Sequence, residues 1–89
     1  GLDALDQEQI EAHMVCSDVE TAGTFRTSNQ LINKINEIWQ QSQLDNMHGS
    51  IPSDCPHRER LGYTGDGQIC APTAMMMIDT REFYKKWIH

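Results

Sequence analysis

Apolar and polar residues change rhythm three times along the chain. In "QIEAHMVCS", residues 9 to 17, they alternate: Ile10, Ala12, Met14 and Cys16 fall on one side, Glu11, His13, Val15 and Ser17 on the other. A period of two predicts a half-buried strand. The next stretch, "DVETAGTFRTS", carries a turn at Gly23 and leads to a helix start, with Thr27 and Gln30 spaced as a capping box. From Asn29 the rhythm becomes helical. Leu31, Ile32, Ile35, Ile38 and Trp39 form one apolar stripe, while Asn33, Lys34, Asn36 and Glu37 face away. This predicts a helix to about Leu44, with Ile35, Ile38 and Trp39 among the more buried residues.

Gly49, Pro52 and Pro56 then break regularity. A charged loop from Asp54 to Asp66 follows, and a second helix is expected over roughly Gln68 to Ile78. Pro72 would be tolerated there only in the first turn or at a kink. Met75, Met76 and Met77 read as packing residues, with Met76 buried. Asp79 and Glu82 have capping-box spacing, and Phe83, Tyr84, Trp87 and Ile88 repeat at helical spacing to the last residue, His89. So apolar a stripe on about nine residues needs a partner surface. The expectation is a strand and three helices belonging to a chain that continues, with the final stripe exposed when it does not.

Composition narrows the class. The chain has 89 residues, 38% hydrophobic and 22% charged, which suits one small globular unit with a marginal core. A net charge of −6 argues against a nucleic-acid partner, since no basic stripe exists to displace counterions. No apolar run approaches the ~20 residues of a membrane span. Three cysteines, Cys16, Cys55 and Cys70, are an odd number without a CxxC pair, so they make no disulfide framework and read as small buried hydrophobes.

The loop concentrates the chemistry. "SDCPHRERLGYTGDGQ", residues 53 to 68, holds Asp54, Glu59 and Asp66 beside Arg58 and Arg60, in backbone that Pro56, Gly62, Gly65 and Gly67 keep irregular. Cleaving a glycosidic bond takes one protonated carboxyl for the leaving oxygen and a second to activate water or attack the sugar. Other carboxylates accept hydrogen bonds from sugar hydroxyls, and arginines orient them. Two flanking arginines favour the ionised form of Glu59, so a general-acid role needs burial or the neighbouring Asp54 and Asp66 to raise its proton affinity. The plain alternative is a surface loop with a local ion-pair network. "GDG" at 65 to 67 reads as turn glycines rather than a phosphate cradle.

"DCPHRERLGYTGDGQ" resembles the active-site motif of bacterial α-L-rhamnosidases of glycoside hydrolase family 78. The flanking "SDVETAGTFRTSNQLINKINEIWQQSQLDNMHGSIPS" and "APTAMMMIDTREFYKKW" are similar to the same family. The resemblance implies a mainly α fold, a fragment of an (α/α)6-barrel or six-hairpin glycosidase domain. Residues 18–89 would be the N-terminal part of that domain, cut at its C-terminal side, and residues 1–17 the end of a preceding β-domain or a linker strand. It implies an inverting hydrolase that removes terminal α-L-rhamnose, with Glu59 as general acid. Asp54 and Asp66 would hold the rhamnose hydroxyls, Arg58 beside them, and Tyr63 would wall the sugar face. The general base would come from outside this chain.

It further implies a rhamnose-containing oligosaccharide or glycoside as partner, the remainder of the same catalytic domain, no cofactor, and a bacterial periplasmic or extracellular setting. Two departures stand out: many members carry an additional acidic residue between the arginine and the glutamate, and tryptophan is common where Tyr63 stands. Two rivals remain open. One is a zinc site from His48, Cys55, His57 and Cys70, against which the Cys55-x-His57 spacing argues. The other is a non-catalytic helical carbohydrate-binding or interaction fragment.

Overall fold

The computed structural model of the chain describes residue 4 and residues 6–49, 51–59 and 61–89, without the side chains of Ile51, Pro56 and Glu59. After a 3-10 turn at Gln7–Gln9, the elements in chain order are α1 (Gln30–Asp45), β1 (Met47–His48), β2 (Ile51–Pro52), α2 (Pro56–Glu59), α3 (Thr64–Met77) and α4 (Arg81–Ile88). The described chain is mainly helical, as the stripe periods predict.

Asn29, not Thr27, caps α1: its Oδ1 accepts from the Leu31 and Ile32 N–H groups at 2.9 and 3.3 Å. Thr27 is instead clipped to the next turn of the helix. Its N–H donates to Asn33 Oδ1 at 2.7 Å, and Asn33 Nδ2 donates back to the Thr27 carbonyl at 2.9 Å. At the far end Asn46 closes α1, its Nδ2 donating to the Ser42 carbonyl at 2.8 Å. The chain then makes a tight hairpin, β1 against β2, with Met47 opposite Pro52 and His48 opposite Ile51. Gly49 in its turn has φ 62°, a left-handed conformation that favours glycine.

The core lies between this hairpin, α3 and α4. Met47, Ala74, Phe83 and Tyr84 are buried together, with Val19, Trp39, Ala71 and Trp87 packed against them. Phe83 and Tyr84 meet edge to face with centroids 5.4 Å apart, and Trp87 stands 6.0 Å from Tyr84. The final stripe is therefore covered over most of its length, contrary to expectation; only Ile88 remains well exposed. Gly67 makes the docking possible, because a Cβ there would press on the Trp87 ring and lie 2.9 Å from Pro52 Cγ.

The alternating segment does not become a strand. No regular structure is assigned from residue 10 to 20, and Ile10, Met14 and Val15 are each at least 60% exposed. A period-two pattern needs a neighbouring strand to pair with. Among the described residues this stretch reaches one only at its end, where Ser17 N–H donates to the Met47 carbonyl at 2.7 Å, while Met14 Sδ accepts from Gln41 Nε2 of α1 at 2.9 Å. Pairing comes later: Thr21 bridges Ile78, Ala22 N–H donates to the Met77 carbonyl and Asp79 N–H to the Glu20 carbonyl. Gly23 runs so close to α3 that a Cβ would fall on the Met76 carbonyl oxygen.

Three further expectations change. The charged loop closes early: α2 interrupts it, and α3 begins at Thr64, taking Gly65, Asp66 and Gly67 into its first turns. Pro72 lies well inside α3, where the Gln68 carbonyl cannot receive its usual bond from residue 72. The Asp79–Glu82 box does not form, because the Asp79 N–H is already given to Glu20. Glu82 pairs with Lys85 at 3.0 Å instead, and Asp79 Oδ1 accepts from the Arg81 N–H at 3.3 Å.

The stripe of α1 is the largest correction. Leu31, Ile35 and Ile38 are 69%, 57% and 56% exposed and Met76 is 72% exposed; only Trp39 is half-buried. No described element packs over that face. The dimensions agree: the radius of gyration is 16.1 Å over a slab 21 Å thin, against about 12 Å for a compact domain of this length. The accessible surface, 7399 Å², exceeds by about 2,000 Å² that of a compact protein of this mass.

Candidate functional site

Three segments converge on a cavity of about 160 Å³. The α1 helix and its cap contribute Trp39, Ser42, Gln43 and Asn46, spaced so that they share one helical face. The stretch leaving β2 contributes Pro52, Ser53 and Asp54, and α3 contributes Asp66 and Cys70, one turn apart. The hairpin is what brings Asp54 to the end of α1: Ser53 N–H donates to the Asn46 carbonyl at 3.0 Å, extending the β1–β2 pairing by one step. The Ser53 hydroxyl lies 3.4 Å from both the Asn46 carbonyl and His48 Nε2.

Of the sequence-predicted residues, Asp54 and Asp66 line this cavity. They stand twelve positions apart in the chain and meet only through the fold. Asp54 is exposed and accepts a long hydrogen bond from Cys55 Sγ at 3.7 Å; Asp66 is half-buried in the first turn of α3, where the helix dipole favours negative charge. Neither carboxylate makes an ion pair with another described residue. Arg58 is exposed in α2, and Tyr63, 52% exposed at the N-cap of α3, lies outside the cavity lining. Glu59 ends α2 in the chain between the two aspartates, and its side chain lies outside what the structure describes. Arg60 is outside the described residues altogether.

Sequence reasoning missed Trp39 as a wall and Gln43 as a lining group. Their spacing with Ser42 and Asn46 was the available signal, but polar residues on a helix ordinarily read as solvent-facing. Gln43 is only 7% exposed. Near Cys70 of the cavity, Tyr84 has its hydroxyl buried without a hydrogen-bond partner among the described residues. Burial, and secondarily Cys70 nearby, hold its pKa above the usual 10.0.

Two other hollows lack the loop carboxylates. The larger, about 590 Å³, lies between residues 17–20 and the start of α4 and carries charges of both signs. The second, about 340 Å³, is an apolar groove between α1 and α3, lined by Phe25, Ile35, Trp39 and Met76 among others. Size alone therefore does not mark the site; the convergence of carboxylates, amides and an aromatic wall does. Among the described residues no group of three His, Cys, Asp or Glu could hold a metal ion, and no helix is long and apolar enough to cross a membrane.

The comparisons with known proteins fit this picture. Residues 20–89 match the family described as the bacterial alpha-L-rhamnosidase 6 hairpin glycosidase domain. An alpha-L-rhamnosidase of Formosa agariphila is 40% identical over 83 residues, which are 93% of this chain and 9% of that protein. One of Streptomyces avermitilis is 38% identical over 65 residues, 72% of this chain and 6% of that protein. One of Alteromonas sp. is 33% identical over 81 residues, 90% of this chain and 9% of that protein. The chain thus spans less than a tenth of the length of these relatives. No solved structure matches. With the family match covering most of its length, the chain belongs to the bacterial α-L-rhamnosidase six-hairpin glycosidase domain family.

Proposed function

We propose that these residues form the proton-donating and sugar-binding segment of an inverting α-L-rhamnosidase of glycoside hydrolase family 78. The observation that carries this reading is that Asp54 and Asp66, from two ends of the charged segment, line one cavity in a chain of that family. Glu59, in the short helix between them, is the general acid. It gives its proton to the glycosidic oxygen as the bond to the aglycone breaks. Asp54 and Asp66 accept from rhamnose hydroxyls, and Arg58 orients the ring. A second carboxylate, ~6.5 to 9.5 Å from the acid, activates water on the opposite face. It comes from elsewhere in the full-length protein, because the two nearby aspartates are committed to the sugar.

The test is leaving-group dependence in the full-length protein. Glu59→Gln should abolish most hydrolysis of an alkyl α-L-rhamnoside while sparing much of that of p-nitrophenyl α-L-rhamnoside, whose leaving group needs little proton donation. Equal losses on both substrates would move the acid role to another residue.

A further inference from the structure

Gln43 is the group the reaction scheme leaves unused. It lies on the cavity side of α1 and is 7% exposed. Its carboxamide makes no hydrogen bond with any other described residue. The residue as a whole is buried, yet its amide atoms are not shut away from solvent, so they are open to a ligand in the cavity. The neighbouring amide differs: Asn46 spends its Nδ2 on the Ser42 carbonyl and has its Oδ1 shut away from solvent. Gln43 is thus the uncommitted amide of the cavity.

Its chemistry complements the two carboxylates that line the same cavity. Ionised Asp54 and Asp66 can only accept. A sugar hydroxyl that donates its hydrogen bond to one of them still has free lone pairs, and these need a donor. The carboxamide supplies two N–H donors and, on its other side, an acceptor for an adjacent hydroxyl. Trp39, one helical turn before Gln43, adds an apolar face for the ring's C–H side.

We propose that Gln43 is a sugar-recognition residue of this site, donating from Nε2 to the oxygen of a ring hydroxyl whose own O–H donates a hydrogen bond to Asp54 or Asp66. The assignment rests on the rhamnosidase reading above and deepens it. It makes the end of α1, not only the charged loop, part of the binding surface.

The experiment uses the full-length protein with p-nitrophenyl α-L-rhamnoside and its 2-, 3- and 4-deoxy analogues, comparing wild type with Gln43→Leu. On the parent substrate, Gln43→Leu should lower kcat/KM about tenfold or more, as expected for leaving a bound hydroxyl unpaired. On one deoxy analogue, the one lacking the contacted hydroxyl, the two enzymes should be nearly equal. A structural role cannot produce that selectivity. Losses of the same factor on all four substrates, or a change within about twofold on the parent, would overturn the assignment. If Gln43→Leu does not fold, Gln43→Met, which keeps length and helix propensity, is read by the same comparison. A wild type that cleaves no α-L-rhamnoside overturns the underlying reading and this assignment with it. An active wild type indifferent to the substitution overturns the assignment alone.

Discussion

Gly65 and Gly67 stand two residues apart in the first turns of α3, and replacing each with alanine should have opposite effects. Neither has a positive φ, so both backbones accept alanine. Helix propensity alone favours each substitution by about 1 kcal/mol. At Gly65 a Cβ would meet nothing within 4 Å. Gly65→Ala should therefore stabilise by about 0.5–1 kcal/mol. At Gly67 the Cβ would lie 2.8 Å from Trp87 Cζ2, nearer still to Cη2, and 2.9 Å from Pro52 Cγ. Carbon atoms rest comfortably at about 3.5–4.0 Å, so the indole must withdraw by roughly 1 Å. Pro52 is buried and leads directly to Ser53 and Asp54, and Trp87 leans on Tyr84, so neither moves without disturbing the core or the cavity.

Overpacking of this kind typically costs about 1–3 kcal/mol. Set against the propensity gain, Gly67→Ala should destabilise by about 1 kcal/mol and separate from Gly65→Ala by about 2 kcal/mol. Urea midpoints at unchanged m-values measure this directly. Adding Trp87→Phe, which removes the offending ring atoms, should recover part of the loss. Equal stabilisation by both alanines would refute the packing of α4 against the start of α3. Equal destabilisation would mean that α3 does not begin at Thr64.

Other consequences can be checked separately. Tyr84→Phe removes a buried hydroxyl that has no partner among the described residues and should be neutral or stabilising by up to about 1 kcal/mol in the same unfolding assay. Because burial raises the phenol above 10.0, the native chain holds this proton more tightly than the unfolded chain. Its contribution is complete below pH 10 and declines as pH rises through the folded-state value; the phenylalanine variant should lack that decline. Asp54→Asn and Asp66→Asn should lower kcat/KM by similar factors on alkyl and p-nitrophenyl rhamnosides, unlike Glu59→Gln; a strong leaving-group dependence in either would make it the acid. The 89 residues in isolation should turn over no rhamnoside and should self-associate at rising concentration in sedimentation, through the open face of α1. Ile35→Glu with Ile38→Glu should suppress that association, and a monodisperse unmodified chain would contradict it.

Much of the local structure was legible in the residue pattern. The period of Leu31, Ile35 and Ile38 marked α1 almost to its last residue, and the spacing from Phe83 to Ile88 marked α4. These patterns are written by backbone geometry within a few residues, which the chain carries wherever it folds. The carboxylate-rich segment also announced itself, since charge beside Pro56 and the glycines fits neither period. What a periodic pattern does not contain is the identity of the neighbour. Two amphipathic stripes looked alike, yet that of α4 found Met47 and Ala74 while that of α1 stayed open. The alternation from 9 to 17 met no ladder. The same reason hid the cavity: Gln43, Asp54 and Asp66 lie far apart along the chain. Only the hairpin at Gly49, folding β2 back past the end of α1, and the close fit of Trp87 over Gly67 decide that they line one cavity.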